Sequence, residues 1–244
     1  MRNIKIIIEY DGTGYCGWQV QKNALSVQEV LQKGIEDLVK HKIMLTGSSR
    51  TDSGVHARGM VANFLTAASI PEKNFPAAIN TKIPYDIVVL DAEEVDANFH
   101  SRRSSIGKRY SYSILNRREP SAILRNYAAH IPEFLDMASM IEASGYFIGS
   151  HDFSTFKSAG STIINNVRNV TLLNISKQES IIRIDIEADG FLYNMVRIIA
   201  GTLIEVGKYK IKPQDIIEII ESRKRERAGK TAPPQGLYLE HVYY

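Results

Sequence analysis

The stretch GSSRTDSGVHARG, residues 47–59, places charged side chains in a short run rich in glycine and serine. Asp52 follows Arg50 by two residues and is followed directly by Ser53 and Gly54. A carboxylate on a sharply turned, exposed backbone can act as a nucleophile or electrostatic stabiliser if a nearby cation keeps it ionised. An aspartate beside glycine is also typical of an ordinary turn or cap, so spacing alone leaves both interpretations open.

The residues around Asp52 limit the chemistry further. No second acid stands at a spacing suited to general acid and base catalysis, and no serine or cysteine nucleophile is obviously matched to His56. We therefore interpret His56 as a structural hydrogen-bonding residue. A single cysteine, Cys16, cannot form an internal disulfide, and no cysteine and histidine pattern has metal-ligand spacing. The sequence indicates no metal and no cofactor.

A second charged candidate is Arg197, in the middle of the apolar segment GFLYNMVRIIAGTLIEV, which predicts a buried helix. An arginine keeps its charge, so burying it without a partner would be costly, and we expect a carboxylate to pair with it. Asp52 is the most attractive partner. The alternatives are that Arg197 pairs with Glu205 or that its guanidinium reaches solvent.

Hydrophobic patterns predict the elements that carry these residues. Ser26 and Glu29 stand at capping-box spacing before a helix with Val27, Val30, Leu31, Ile35 and Leu38 on one face. Further helices are predicted in PEKNFPAAINTKIP, at about residues 133–145, in the Arg197 segment and in KPQDIIEIIESRK. Strands are predicted in NIKIIIEY, GMVANFLTA, DIVVLDAEEV, SSIGKRYSYSIL, VRNVTLLNIS, SIIRIDIEADG and GLYLEHVYY.

Strands and helices mix without regular alternation, which predicts an α+β fold with helices on one face of each sheet. The chain has 244 residues, enough for one large domain or two small ones. We expect two halves. Residues 1–100 would carry Asp52, and residues 101–244 would carry Tyr110 and Arg197, with a soft boundary near residues 97–105.

Composition and charge favour a soluble, cytoplasmic protein that binds RNA. Hydrophobic residues make up 44% and charged residues 23%, the balance of an ordinary globular protein. No apolar run has membrane-spanning length, and MRNIKIIIEYDGTG becomes charged too early for a signal peptide. The basic, tyrosine-containing residues 99–118 are typical of RNA contacts. The basic run ESRKRERAGK is as consistent with a solvated helix face.

Five segments, in this order along residues 10–239, resemble the TruA family of tRNA pseudouridine synthases: YDGTGYCGWQ, SSRTDSGVHARGMVANF, KRYSYSI, GFLYNMVRIIAGTLIEVG and RERAGKTAPPQGLYL. The resemblance implies that uridine is isomerised to pseudouridine at positions 38–40 of the tRNA anticodon stem-loop by a cofactor-free homodimer. It also implies two pseudo-symmetric halves of mixed or antiparallel sheet, with an RNA cleft between them.

The same resemblance assigns roles to individual residues. Asp52 falls on the catalytic nucleophile, and Arg50 on the basic residue that enters the space left by a flipped base. Tyr110 falls on the tyrosine that stacks on the uracil, and Arg197 on the arginine that pairs with the catalytic acid. Leu192 and Val196 would then be packing residues. An RNA-contacting segment falls on FHSRR, which is Phe99, His100, Ser101, Arg102 and Arg103.

Some features leave alternatives open. Ser49 and Ser53 depart from the family's GRTDAGVHA without removing a chemical group. The segment KSAGSTIINNVRNV matches more weakly, so a paralogue acting on ribosomal RNA is an alternative. A catalytically silent RNA-binding protein would share the basic clusters and tyrosines. A nucleotide-binding or phosphotransfer enzyme would need more than the glycine-rich residues 11–14, which lack a phosphate-loop lysine.

Overall fold

The computed structural model describes residues 1–160 and 163–244. These form two compact units, the first comprising Met1–Ile106 with Tyr238–Tyr244 and the second comprising Gly107–Leu237. The first unit contains β1 (Arg2–Tyr10), α1 (Val27–Val39), β2 (Thr46–Gly47), β3 (His56–Thr66), α2 (Phe75–Asn80), β4 (Ile87–Val95) and nearly all of β10 (Leu237–Tyr243). The second contains β5 (Gly107–Leu115), β6 (Ala129–His130), α3 (Met137–Gly145), β7 (Gly149–Asp152), β8 (Val167–Gln178), β9 (Ile181–Ala188), α4 (Met195–Gly207) and α5 (Asp215–Ser222).

The sheet of the first unit is mixed, with strand order β4-β1-β3-β10 and β2 paired to β3. β1 is antiparallel to both β3 and β4, whereas β10 is parallel to β3, with Tyr238 opposite His56. Ile4, Ile6 and Ile8 alternate along β1 and are fully buried, as the strand period predicts. This sheet supports the chain on either side of Asp52.

Helix α1 begins as its capping sequence predicts, because the Ser26 hydroxyl accepts a hydrogen bond from the Glu29 amide at 3.3 Å. The buried stripe of this helix is rotated slightly from the predicted one. Val39 is buried, whereas Val30 and Leu38 are only half-buried. The existence of the helix was therefore easier to predict than the orientation of its buried face.

The sheet of the second unit has strand order β5-β9-β8-β7, all antiparallel, with β6 parallel to β5. Helix α4 contacts β5 and helix α3 contacts β8. The side chains of Tyr112, Ile114 and Ile184 are buried in this unit. The predicted α+β class is confirmed.

Several element boundaries differ from the sequence prediction. Helix α3 begins at Met137 rather than near residue 133, because the Asp136 carboxylate accepts hydrogen bonds from the Ala138 and Ser139 amides. Helix α4 begins only at Met195, since Asn194 has a left-handed backbone, with φ of 61°. The two- to four-residue strands β2, β6 and β7 were not predicted, because so few residues show no period.

The two units divide between Ile106 and Gly107, whereas we expected two halves that meet between residues 100 and 101. The last strand also returns to the first unit, because it pairs with β3. No helix within residues 1–160 and 163–244 is long and apolar enough to cross a bilayer.

Candidate active site

Asp52 lies in the turn that leads into β3. Its backbone carbonyl accepts a hydrogen bond from the Val55 amide at 3.2 Å, and Gly54 has a φ of 76°, which glycine adopts readily. The side chain of Asp52 is half-buried, and Arg50 is exposed. Asp52 and Arg50, two positions apart in sequence, therefore both reach the surface of the first unit.

Thr51 anchors this turn from three directions. Its hydroxyl lies 2.8 Å from the Tyr10 hydroxyl, and its carbonyl accepts a hydrogen bond from the Trp18 amide at 3.1 Å. Gly17 packs against the same backbone with a φ of 101°, and a Cβ there would lie 2.3 Å from the Thr51 carbonyl oxygen. The segment YDGTGYCGWQ thus supports the residue that precedes Asp52.

Neighbouring contacts fix the other side of the turn. The Ser53 hydroxyl donates to the Tyr15 carbonyl at 3.1 Å, and the Tyr15 hydroxyl donates to Asp86 at 2.7 Å. Burial, and then the bond to Asp86, raise the pKa of Tyr15 above its ordinary range. The Gly12 amide donates to Nδ1 of His56 at 3.1 Å, and the His56 ring is buried. These contacts agree with the prediction of a structural histidine and a turn at residues 11–14.

Arg197 is half-buried on α4, where contacts inside the second unit orient its side chain. Nε donates to the Ala232 carbonyl at 2.8 Å, and Nη1 donates to the side-chain oxygen of Asn194 at 2.9 Å. The Ala232 amide donates in return to the Arg197 carbonyl at 3.0 Å. Glu205, one of the predicted alternative partners, forms an ion pair with Lys210 at 3.0 Å.

The loop that contains Ala232 is itself held closely against α4. A Cβ on Gly201 would lie 1.8 Å from the Lys230 carbonyl oxygen, and the Gly229 amide donates to the Thr202 hydroxyl at 2.9 Å. Because glycine at 201 permits this approach, the loop can bring the Ala232 carbonyl to Arg197.

Tyr110 and Tyr112, two residues apart on β5, have different surroundings. The Tyr110 ring is 6% exposed and meets the Phe191 ring edge-on, with centroids 5.0 Å apart. Tyr112 is fully buried, and its hydroxyl donates to the Pro233 carbonyl at 2.7 Å. Burial raises the pKa of Tyr112 above its ordinary range, although the positive charge of Arg197 opposes this shift. Tyr112 therefore holds the loop that contains Ala232, a role that we did not predict.

Leu192 and Val196 are both buried in the second unit, at 4% and 5% exposure. These values agree with their interpretation as packing residues. Neither side chain carries a group that could take part in acid, base or nucleophilic chemistry.

The segment FHSRR divides into buried and exposed residues. Ser101 is fully buried: its amide donates to Asn63, its hydroxyl to the Thr46 carbonyl, and its carbonyl accepts from the Tyr244 hydroxyl. The Phe99 ring packs 5.0 Å from the Tyr244 ring.

His100 closes the same turn, because its Nδ1 accepts from the amides of Arg102 and Arg103. The side chains of these two arginines are exposed. Among the charged groups of this segment, the guanidinium groups of Arg102 and Arg103 are therefore accessible from solvent.

Three arginines of ESRKRERAGK make contacts within the protein. Arg223 pairs with Asp152 at 3.1 Å, and Arg227 lies 3.9 Å from Glu218. Arg225 donates to the Gly229 carbonyl and the Thr231 hydroxyl, both at 3.0 Å. These contacts favour a structural interpretation of the run.

The weakly matching segment KSAGSTIINNVRNV includes Ser161 and Thr162, which lie outside the described residues. Before them, the Ser158 hydroxyl accepts a hydrogen bond from Nδ2 of Asn194 at 2.9 Å. After them, Asn166 accepts from Nζ of Lys157 at 2.8 Å. Within residues 1–160 and 163–244, no three histidine, cysteine, aspartate or glutamate side chains form a group able to hold a metal ion.

Comparisons with known proteins find relatives along the whole chain. The profile of a family described as tRNA pseudouridine synthase matches residues 6–102 and 143–244. The chain is 53% identical to tRNA pseudouridine synthase A of Acetivibrio thermocellus, over 100% of both chains. It is 51% identical to tRNA pseudouridine synthase A 2 of Clostridium perfringens and 52% identical to tRNA pseudouridine synthase A of a Thermoanaerobacter species, again over 100% of each chain.

A solved structure of a Cbf5-Nop10-Gar1 complex aligns weakly, with a TM-score of 0.37 and 13% identity over 82% of this chain and 45% of that chain. The family match and the full-length relatives define an isomerase that forms pseudouridine. The chain belongs to the tRNA pseudouridine synthase family.

Proposed function

We propose that this enzyme isomerises uridine to pseudouridine at positions 38–40 in the anticodon stem-loop of tRNA, with Asp52 as its catalytic carboxylate. The observation that carries the proposal is the rigid support of the Asp52 turn, whose preceding residue is held by Tyr10 and Trp18. A reacting group must be held in a narrow range of positions, and such support supplies that constraint. The relatives named tRNA pseudouridine synthase A support tRNA as the substrate.

A uridine inside a stem must leave the helical stack before a protein side chain can reach its glycosidic bond. Flipping costs about a few kcal/mol of stacking and pairing. Arg50 is exposed beside Asp52 and would occupy the space that the base leaves. The exposed Arg102 and Arg103 would bind phosphates and offset part of that cost.

The reaction breaks the bond between uracil N1 and the ribose, rotates the uracil, and forms a bond from carbon 5 to the same ribose carbon. Asp52 would attack the ribose, attack the base or ease deprotonation of the ribose, and each route needs an anionic carboxylate. The proton on carbon 5 then leaves and N1 gains one, so that product and substrate have equal mass. Tyr110 would stack on the uracil and assist this proton transfer.

Arg197 completes the proposed site. Its guanidinium would pair with Asp52 and keep the carboxylate anionic, since a neighbouring positive charge favours the ionised form.

We propose a homodimer in the cytoplasm as the working enzyme, on the resemblance to the family.

The test is the Asp52→Asn variant, which keeps the shape of the side chain and removes its charge. We expect no detectable pseudouridine in an anticodon stem-loop RNA, with RNA affinity within about threefold of the wild type, equivalent to roughly 0.7 kcal/mol. Asp37→Asn is the matched control, because Asp37 is exposed on α1.

Substantial turnover by Asp52→Asn would remove Asp52 from its proposed role. Pseudouridine mapping with tRNA and ribosomal RNA fragments in parallel separates the substrates, and modification of ribosomal RNA alone would overturn the tRNA assignment. A wild-type enzyme that binds both RNAs and modifies neither would identify a catalytically silent binding protein.

A further inference from the structure

Asn194 has an unusual position directly before helix α4. Its φ is 61° and its ψ is 9°, a left-handed conformation that asparagine tolerates better than most residues with a side chain. An asparagine at a helix N-cap normally accepts a hydrogen bond from a backbone amide of the first turn. The side chain of Asn194 makes no such capping bond.

The side chain of Asn194 instead joins two other side chains. Its oxygen accepts from Nη1 of Arg197 at 2.9 Å, and its Nδ2 donates to the Ser158 hydroxyl at 2.9 Å. The Ser158 amide also donates to the Tyr193 carbonyl at 3.1 Å, so Ser158 is fixed relative to the backbone beside Asn194. The side-chain amide of Asn194 is therefore held in one orientation.

We propose that Asn194 is a positioning residue, which holds the guanidinium of Arg197 in one plane and ties it to Ser158. Nε of Arg197 donates to the Ala232 carbonyl, so Asn194 and Ala232 contact two different nitrogens. Bonds to two different nitrogens of a planar guanidinium constrain both its position and its plane.

This inference rests on the proposed function, in which Arg197 keeps Asp52 ionised. A guanidinium that rotates retains its charge but loses directed hydrogen bonds to a carboxylate. Small misplacements of groups that support a reacting centre lower the rate strongly. The side chain of Asn194 would therefore act on the chemical step through Arg197.

The decisive variant is Asn194→Gly. Glycine adopts a positive φ without strain, so the backbone before α4 is preserved while both side-chain bonds are lost. We expect kcat for pseudouridine formation to fall about tenfold with KM unchanged, and the acidic limb of the kcat against pH profile to move to higher pH. The melting temperature measures whether folding is retained.

Ser158→Ala is the second variant, because it removes the acceptor of the Asn194 amide and leaves the oxygen that binds Arg197. We expect a smaller fall in kcat, about two- to threefold, in the same direction. The proposal is overturned if Asn194→Gly has the kcat and pH profile of the wild type. It is also overturned if KM alone rises, since that result would place Asn194 in RNA binding.

The same assays separate this inference from the proposed function. An inactive Asp52→Asn with an unchanged Asn194→Gly would contradict only the positioning role. An active Asp52→Asn would contradict the proposed function itself.

Discussion

The hydroxyl oxygens of Tyr10 and Thr51 lie 2.8 Å apart, so the end of the first strand holds the residue directly before Asp52. Both side chains are buried. A hydrogen bond between buried hydroxyl groups resists displacement. Breaking it is costly because water cannot reach the two hydroxyl groups to replace the lost bond. Tyr10 and Thr51 therefore determine where the turn can place its carboxylate.

We expect Tyr10→Phe to lower the free energy of unfolding by about 1 kcal/mol and to reduce kcat, because the turn loses one support. Chemical denaturation and single-turnover kinetics measure the two effects. Thr51→Val removes the same bond from its other end with little change of shape. The double variant should therefore be no worse than the more affected single variant, and additive losses would show that the two hydroxyls act separately.

Gly17 and Gly14 offer a matched pair of substitutions in one glycine-rich segment. Gly17→Ala places a Cβ 2.3 Å from the Thr51 carbonyl oxygen at a φ of 101°, so we expect a loss of about 2 kcal/mol in unfolding free energy and reduced kcat. Among the described residues, a Cβ on Gly14 would meet no atom within 4 Å beyond its own chain neighbours. Gly14→Ala should therefore change stability by less than about 0.5 kcal/mol. Equal melting temperatures for the two variants would contradict the close approach.

Tyr110 can be tested in two steps, since its ring and its hydroxyl have separate proposed roles. Tyr110→Phe keeps the ring against Phe191 and should fold normally while kcat falls about 100-fold, the scale of one lost proton-transfer group. Tyr110→Ala also removes the stacking surface and should lower both kcat and the unfolding free energy, the latter by about 3 kcal/mol. Full activity of both variants would limit Tyr110 to a structural role.

Arg102 and Arg103 should contribute to RNA affinity through charge. Replacing both by alanine should weaken tRNA binding and reduce the slope of log affinity against log salt concentration by about 1 for each lost phosphate contact. Arg227→Ala is the control, because its guanidinium lies near Glu218 in a different segment. An unchanged salt slope for the double variant would place the RNA elsewhere.

Asp185 provides a pH-dependent test of the second unit. Its carboxylate is buried, which opposes ionisation, but bonds and charge from Arg183 and Arg109 outweigh burial and lower the pKa of Asp185. A lowered pKa adds stability above the unfolded pKa of about 3.9, and that stability is lost as the pH falls through the folded value. We expect Asp185→Asn to cost about 2 kcal/mol near pH 7.

The difference between wild type and Asp185→Asn should therefore be constant near neutral pH and shrink below about pH 4. Urea denaturation at several pH values measures it. A difference that grows on acidification would contradict the sign of the pKa shift.

Much of the scaffold was predictable, because each long element has a clear local signal. The alternation of Ile4, Ile6 and Ile8 predicts β1, and Ser26 with Glu29 predicts the start of α1. Arg197 was predictable as a residue that needs a partner, because it is a charged residue within an apolar helix and burying a charge is costly.

The supports of the candidate site were not predictable in the same way. Tyr112, Asn194 and Gly17 act through contacts with residues distant in sequence or through a left-handed backbone. No local pattern encodes the bond from Tyr112 to Pro233, since 121 positions separate them. Asparagine and glycine tolerate a left-handed backbone, and this tolerance was the only local signal for Asn194 and Gly17. It does not specify which side chain each residue will contact.

The return of β10 to the first unit has a consequence for synthesis on the ribosome. Residues 1–106 emerge early, but β3 gains its parallel neighbour only after residues 238–244 have been made. The ring of Tyr238 also stacks on the ring of His56, with centroids 4.8 Å apart. His56 lies four positions after Asp52 in the sequence. A nascent chain that stalls before residue 238 would carry every proposed reacting side chain, yet lack the strand that completes the sheet next to the Asp52 turn.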